Sequence, residues 1–445
     1  MLNIVLIFLG FLIAVALARI IIPRILIISL RKRLFDTPDA RKVHKKPVSR
    51  LGGVSFFPAV LFTVTFLIGV CDMTGWVPLV NVSRYWAQAL LLCSGLTLLF
   101  IVGIADDLIG VCYRQKFLVQ LVAAAMFPLA GLYINDFYGL LGIHYVSSFI
   151  GVPLTLLLVV FITNAVNLID GIDGLASGLS MVALSVFGTL AVIDGRWMSA
   201  LLAFATVGVL LPFFFYNVFG NADRGRKIFM GDTGSLTLGY ILSFLAVQYT
   251  MNTYEAGINY EGAMLIAFSV LLVPCLDVVR VVLGRVRRGR DPFMPDKTHI
   301  HHKFLAMGFT PRRAMISILC ISLLLCLANM ALVSYLDNTL LLLCDVVVWT
   351  VMNLYMDKVI LRHNKSIIPS FRLYHFAVKL IWKRMLVLTL LFWLGVTGVY
   401  YVVNSAAVWH EYGWWLPLMV AGTYFLFMDV KLMLMMMRHE EKKKW

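Results

Sequence analysis

Four groups of polar side chains interrupt an otherwise apolar sequence, and each sits where a long apolar block ends or begins. The first is Asp106-Asp107, followed by Arg114 and Lys116. Adjacent carboxylates repel unless a cation or a proton lies close to them, so the pair points to a divalent metal, a lysine or a proton transfer. The second is Asn164-Ala-Val-Asn167-Leu-Ile-Asp170-Gly-Ile-Asp173-Gly174, in which each polar residue follows the last by three. On a helix such neighbours share a face, and Gly171 and Gly174 open the helix end to a ligand. Asparagines of this kind also join helices inside membranes, but that role does not call for two carboxylates. The third runs from Asn217 through Lys227 to Gly231-Asp232-Thr233-Gly-Ser235. Asp232 there can ligate a metal beside a phosphate-welcoming helix N-terminus, or simply cap that helix. The fourth is His299-Ile-His301-His302-Lys303, downstream of Arg285, Arg287, Arg288 and Arg290. Three histidines in four residues could hold a transition metal, but their cationic neighbours favour phosphate. Asp277 and Arg280, three residues apart, read as an ion pair inside a membrane segment.

The elements that must position these groups are apolar helices. Of the 445 residues 61% are hydrophobic and 14% charged, against roughly a quarter charged in a soluble domain. The apolar residues form thirteen blocks of membrane-spanning length, at about 2–22, 53–72, 86–105, 117–134, 149–168, 175–193, 198–218, 233–250, 261–283, 314–336, 339–357, 385–403 and 414–437. The expected fold is therefore all-α, a polytopic bundle of 11–13 membrane helices. Acidic groups at a bilayer centre cost about 2.5–3.5 kcal/mol each, so carboxylates kept at span ends mark function. Placing residues 31–52 in the cytoplasm leaves only Arg84 and Arg196 among the outward loops. That bias puts the N-terminus outside, the C-terminus inside and all four polar groups on the cytoplasmic face. The N-terminal block resembles a signal sequence at Ala16-Leu17-Ala18 but lacks a leading positive charge, so it reads as a retained span.

The net charge of +15 lies in clusters between spans, which suits lipid headgroups and phosphorylated substrates and not nucleic acid. Seven scattered cysteines without a CxxC pair read as small buried apolar residues and not as disulfides or a zinc site. Residues 1–357 are expected to form one helical domain. Residues 358–445 are expected to add a basic interfacial segment, two further spans and a cytoplasmic tail.

These motifs resemble the polyprenyl-phosphate N-acetylhexosamine-1-phosphate transferases, a glycosyltransferase family 4 type, over roughly residues 1–340. Asp106-Asp107, Asn164 to Ala176, Phe229 to Leu236 and Pro295 to His302 carry the resemblance. It implies transfer of a sugar 1-phosphate from a UDP-sugar to undecaprenyl phosphate in the bacterial inner membrane, with release of UMP. It also implies Mg²⁺ (or Mn²⁺) held by Asp232 with Asn167 or Asp170, and Asp106 and Asp107 activating or positioning the lipid phosphate. Lys116 would hold phosphate, Asp173 would face the uracil, and His299, His301 and His302 would bind the pyrophosphate. Asn164, Asn217 and Gly231 complete the expected substrate-binding set. The His-Ile-His-His form looks like the N-acetylglucosamine-type members. A muramoyl-pentapeptide transferase is the alternative within the family, and a lipid-linked sugar transporter the alternative outside it. The expected partners are UDP-N-acetylhexosamine, undecaprenyl phosphate and membrane lipids, with a homodimer left open.

Overall fold

A computed structural model describes residues 2–32, 34, 48–75, 82–252, 262–289, 291 and 297–363. The last two expected spans and the basic segment before them lie outside the described residues. Contacts divide the chain into a unit of Met1–Gly284 with Asp291–Ile360 and a second of Arg285–Arg290 with Leu361–Trp445. The four polar groups all fall in the first.

Among the described residues the fold is helical, with isolated bridges in place of strands. In chain order the helices are α1 (Leu2–Lys32), α2 (Phe56–Thr74), α3 (Val82–Ile109), α4 (Tyr113–Leu129), α5 (Ser148–Ile169), α6 (Leu175–Ile193) and α7 (Trp197–Val218). There follow α8 (Gly231–Thr250), α9 (Ala263–Ser269), α10 (Leu272–Arg287), α11 (Ile300–Ala306), α12 (Pro311–Leu332) and α13 (Asn338–His363). Each of the first eleven expected apolar blocks coincides with one of these helices or, once, with a pair of them.

Eight described helices are long and apolar enough to cross a membrane, or nine if one bent pair counts as a span. The chain is thus a multi-pass membrane protein. The shortfall from the expected eleven in this region has two causes. Helix α4 is only 17 residues long. Helix α8 is the more informative case. It packs between α3 and α5, and every residue but Gly231, Asp232 and Gln248 is buried. A helix walled by protein instead of lipid needs no uniformly greasy surface, so it carries Thr233, Ser235, Thr237 and Ser243. The last two hydroxyls donate back to Thr233 O and Gly239 O, both at 2.7 Å, which removes the cost of an unpaired polar group.

The block at 261–283 is not one straight span. It breaks between α9 and α10 with a 76° bend. Pro274 explains the position, because it has no N–H to give the carbonyl of Val270 and its ring disfavours continuation of the preceding turn. The cysteine expectation needs correction too. Cys71 and Cys326 are buried, but Cys112, just before α4, and Cys320 and Cys344, on α12 and α13, are exposed.

Candidate active site

The start of α8 is the hub. Ser49 to Gly53 runs beside Ile228 to Met230: Phe229 N–H donates to Ser49 O (2.8 Å), Gly52 N–H to Phe229 O (3.0 Å) and Gly53 N–H to Met230 O (2.8 Å). This contact aims the first turn of α8 at the end of α3. There the Asp107 carboxylate accepts from the Asp232 N–H (2.8 Å), the Thr233 N–H (3.0 Å) and the Thr233 hydroxyl (2.6 Å). Asp107 thus caps α8 from another helix, satisfying amides that α8 cannot pair itself and placing negative charge at the positive end of its dipole. Gly231 is required for that approach. Its φ is +67°, and a Cβ there would lie 2.2 Å from the Arg50 carbonyl and 2.5 Å from Asp107 Oδ2.

Asp106 points elsewhere. Its Oδ1 accepts the Val111 N–H at 2.6 Å, and its Oδ2 pairs with Lys116 Nζ at 3.1 Å. The same Lys116 ammonium pairs with the Asp232 carboxylate. Behind them, Asn167 donates its Nδ2 to Ser235 Oγ at 2.8 Å, joining α5 to α8.

A second cluster adjoins the first through the loop after α5. Asp173 pairs with Lys227 at 2.5 Å, and Lys227 lies over the Phe229 ring. Asp170 reaches solvent on one side. Surrounding protein, then the like charges of Asp173 and Asp107, push its carboxyl up to about 7. The His301 ring lies directly on this loop: a Cβ at Gly171 would fall 2.0 Å from His301 Nε2. His301 is 2% exposed and its Nδ1 has no partner. Burial, then the neighbouring His302 and His299, lowers its pKa to about 3, so it is a neutral imidazole at ordinary pH.

The expected Asp277–Arg280 pair is present at 2.6 Å, and Asp277 does more than pair. It holds His299 Nδ1 at 2.9 Å and accepts the Ile300 N–H at 3.1 Å, capping α11 as Asp107 caps α8. His299 is therefore held by Asp277 and stacks 5.9 Å from His301, and the His302 ring is tilted 4.2 Å from His301.

Three of the expected substrate-binding residues serve the architecture, two as joints and one as space. Asn164 forms a reciprocal amide pair with Gln120 (2.6 and 3.3 Å), linking α5 to α4, and also donates to Val160 O. Asn217 is buried, accepts the Gly174 N–H at 2.6 Å and donates to Ile228 O at 2.8 Å. It thereby ties the Asp170–Gly174 loop to the segment entering α8. Gly231 makes room for Asp107. Sequence reasoning assigned Lys227 and Ser235 no role beyond their place in the third polar group, and Gln120 and Arg50-Leu-Gly-Gly53 did not enter it. Only the last left a signal, two glycines beside an arginine at a span entrance.

Among the described residues no three His, Cys, Asp or Glu side chains form a metal-holding group. Oxygen-bearing groups near the start of α8 include Asn167, which meets Ser235, and Asp170 just past the end of α5, which feels the charge of Asp107. This suits Mg²⁺, which takes one or two carboxylates and leaves its other positions to water and phosphate. Lys116 lying between two carboxylates reports the same demand for a cation.

Apolar helices that bring acids and lysines to one shared end form a membrane-embedded site suited to phosphorylated ligands. The sequence model described as glycosyl transferase family 4 matches residues 89–250. A Yersinia pestis undecaprenyl-phosphate alpha-N-acetylglucosaminyl 1-phosphate transferase is 33% identical over 293 residues, 65% of this chain and 74% of that protein. The protein of the same name from Escherichia coli K12 is 31% identical over 287 residues, 64% and 72% of the two chains. A Bacillus subtilis protein named "probable undecaprenyl-phosphate N-acetylglucosaminyl 1-phosphate transferase" is 32% identical over 327 residues, 73% and 84%. The chain belongs to glycosyl transferase family 4, and it is a phosphotransferase.

Proposed function

We propose that the protein transfers N-acetylglucosamine 1-phosphate from UDP-N-acetylglucosamine to undecaprenyl phosphate, releasing UMP, at the cytoplasmic face of a bacterial inner membrane. The supporting observation is the convergence of Asp107, Lys116, Asp170 and Asp232 from α3, α4, α5 and α8, closed over by His301 from α11. The names of the relatives support the sugar and the acceptor, and the distribution of Lys and Arg supports the orientation.

In this reaction an acceptor phosphate oxygen bonds to the phosphorus that carries the sugar. The bond from that phosphorus to the bridging oxygen breaks, and the bridging oxygen leaves with UMP. Lys116 neutralises one of the phosphates being brought together. Asp106, next to Lys116, takes the last proton of the acceptor phosphate, which raises its nucleophilicity. Asp107 accepts three hydrogen bonds from the start of α8, so its work is to fix where Asp232 stands. Neutral His301 offers a hydrogen bond to the pyrophosphate without adding charge. Mg²⁺ held by Asp232, Asn167 and Asp170 would supply charge neutralisation and alignment of the pyrophosphate.

The test is incubation of the purified chain with undecaprenyl phosphate, Mg²⁺ and a panel of UDP-sugars, with UMP release measured. Release only with UDP-N-acetylglucosamine is expected. Release only with the muramoyl-pentapeptide donor, or none with any donor, would overturn the proposal.

A further inference from the structure

Helix α11 has seven residues, too few to hold its shape alone, yet it presents the histidines. One end is fixed by Asp277. The opposite tether comes from α13. Lys303 Nζ pairs with Asp357 Oδ1 at 2.8 Å and donates to Asn353 Oδ1 at 3.1 Å. All three groups are largely withdrawn from solvent: the Lys303 and Asp357 side chains are 11% and 14% exposed and Asn353 is buried. The Asn353 amide is oriented by its own bond to Trp349 O at 3.0 Å. Burial, then Arg280, holds Lys303 below the usual lysine range, and Asp357 opposes that shift. Asn353 and Asp357 lie four residues apart, one turn along the same face. Both fall far outside the 89–250 stretch that matches the family.

We propose that Asn353 and Asp357 of α13 are positioning residues for the nucleotide, acting through Lys303 to seat His301 against Gly171. The proposal rests on the assignment of these histidines to the donor pyrophosphate. A buried ion pair with one partner removed is more disruptive than a pair replaced whole. Its loss should therefore tilt α11, and misplacement of about 1 Å is enough to change catalysis.

The experiment uses the full-length purified chain and the variants Lys303→Met, Asp357→Asn, Asn353→Leu, the exchange Lys303→Glu with Asp357→Lys, and His301→Ala. KM for UDP-N-acetylglucosamine, KM for undecaprenyl phosphate, kcat and melting temperature are read for each. The single tether variants should raise the donor KM on the order of tenfold and leave the acceptor KM within about twofold. The exchange should recover most of that loss. A wild-type donor KM in Lys303→Met and Asp357→Asn alongside a raised one in His301→Ala would overturn the tether alone. A wild-type donor KM in His301→Ala would overturn the histidine assignment and the tether with it. Equal rises in both KM values, tracking a lowered melting temperature, would mark a merely structural contact and also overturn the proposal.

Discussion

The two ends of α4 and α8 carry polar clusters built on different plans. Beyond the last turn of each helix, Asn135 and Asn252 exchange hydrogen bonds at 2.7 and 2.8 Å. There Asp136 accepts from Asn252 Nδ2 at 2.9 Å and from the Tyr138 N–H at 2.7 Å, while Asn338 reaches the Tyr138 carbonyl. That cluster is amide-rich, has a single carboxylate and closes loops. At the other end five aspartates gather with Lys116, Lys227 and Arg50, Asp170 is pressed by like charges, and a buried histidine nitrogen lacks a partner. The first cluster pairs its one carboxylate with amide donors, and among the described residues its single unpartnered buried side-chain atom, Asn252 Oδ1, is an uncharged carbonyl. A cluster that presses like charges together beside a buried, unpartnered imidazole nitrogen is suited to receiving a ligand.

The largest expected effect comes from Asp232. Asp232→Ala should lower turnover by at least about a thousandfold and abolish Mg²⁺-dependent protection against thermal unfolding, while the protein still purifies folded in detergent. Asp136→Asn should do the reverse, lowering the melting temperature by a few degrees and leaving kcat within about twofold. If the two substitutions gave similar profiles, the contrast between the clusters would fail.

Lys116 sharpens the comparison, because it already occupies the place between Asp106 and Asp232 where a cation is wanted. Lys116→Met should reduce turnover about a hundredfold through loss of phosphate neutralisation. Mg²⁺ binding without substrate, followed by thermal shift, should become tighter because the competing ammonium is gone. Weaker Mg²⁺ binding would mean that Lys116 helps build the metal site and does not stand in for its occupant.

How much of this could be read from the sequence follows from how far each contact reaches. Apolar blocks and three-residue spacings are local, so the helices and the approach of Asp106, Asp107, Asp170, Asp173 and Asp232 to one end were legible. The expected helical face nevertheless stops at Asn167, because α5 ends at Ile169 and leaves Asp170 and Asp173 in a loop. The division of labour between Asp106 and Asp107 was not, because the two differ only in which distant backbone they meet, Val111 for one and α8 for the other. The engagement of Asn164 with Gln120 was hidden for the same reason. The bend before Pro274 was available to a closer look at the chain, since proline removes a donor wherever it stands.

Gly171 tests the seam between the acidic loop and the histidines. Gly171→Ala places a methyl group where the His301 ring lies, so the ring must move. The expected result is a loss of about tenfold in kcat/KM for the donor, with Asp232-dependent Mg²⁺ binding unchanged. A fully active Gly171→Ala would show that contact with this loop does not set the position of His301.

The smallest effect is the pH dependence carried by Asp170, whose carboxyl sits at about 7 in the folded chain against 3.8 ordinarily. Between those values the folded state keeps a proton that the unfolded state has released, so this residue's contribution to stability is present below 3.8 and is lost as the pH rises through about 7. A bound cation requires the ionised form, so Mg²⁺ affinity should rise over the same window and level off above it. The difference between wild type and Asp170→Asn, measured as melting temperature against pH with and without Mg²⁺, isolates this one group from the other carboxylates. Wild type should lose stability relative to the variant as the pH climbs from 5 to 8 without Mg²⁺, and should regain it when Mg²⁺ is added. Parallel curves would mean that solvent on the open side of Asp170 already screens it from Asp173 and Asp107. The crowding of negative charge separating this cluster from the one around Asp136 would then have to rest on the aspartates paired with Lys116.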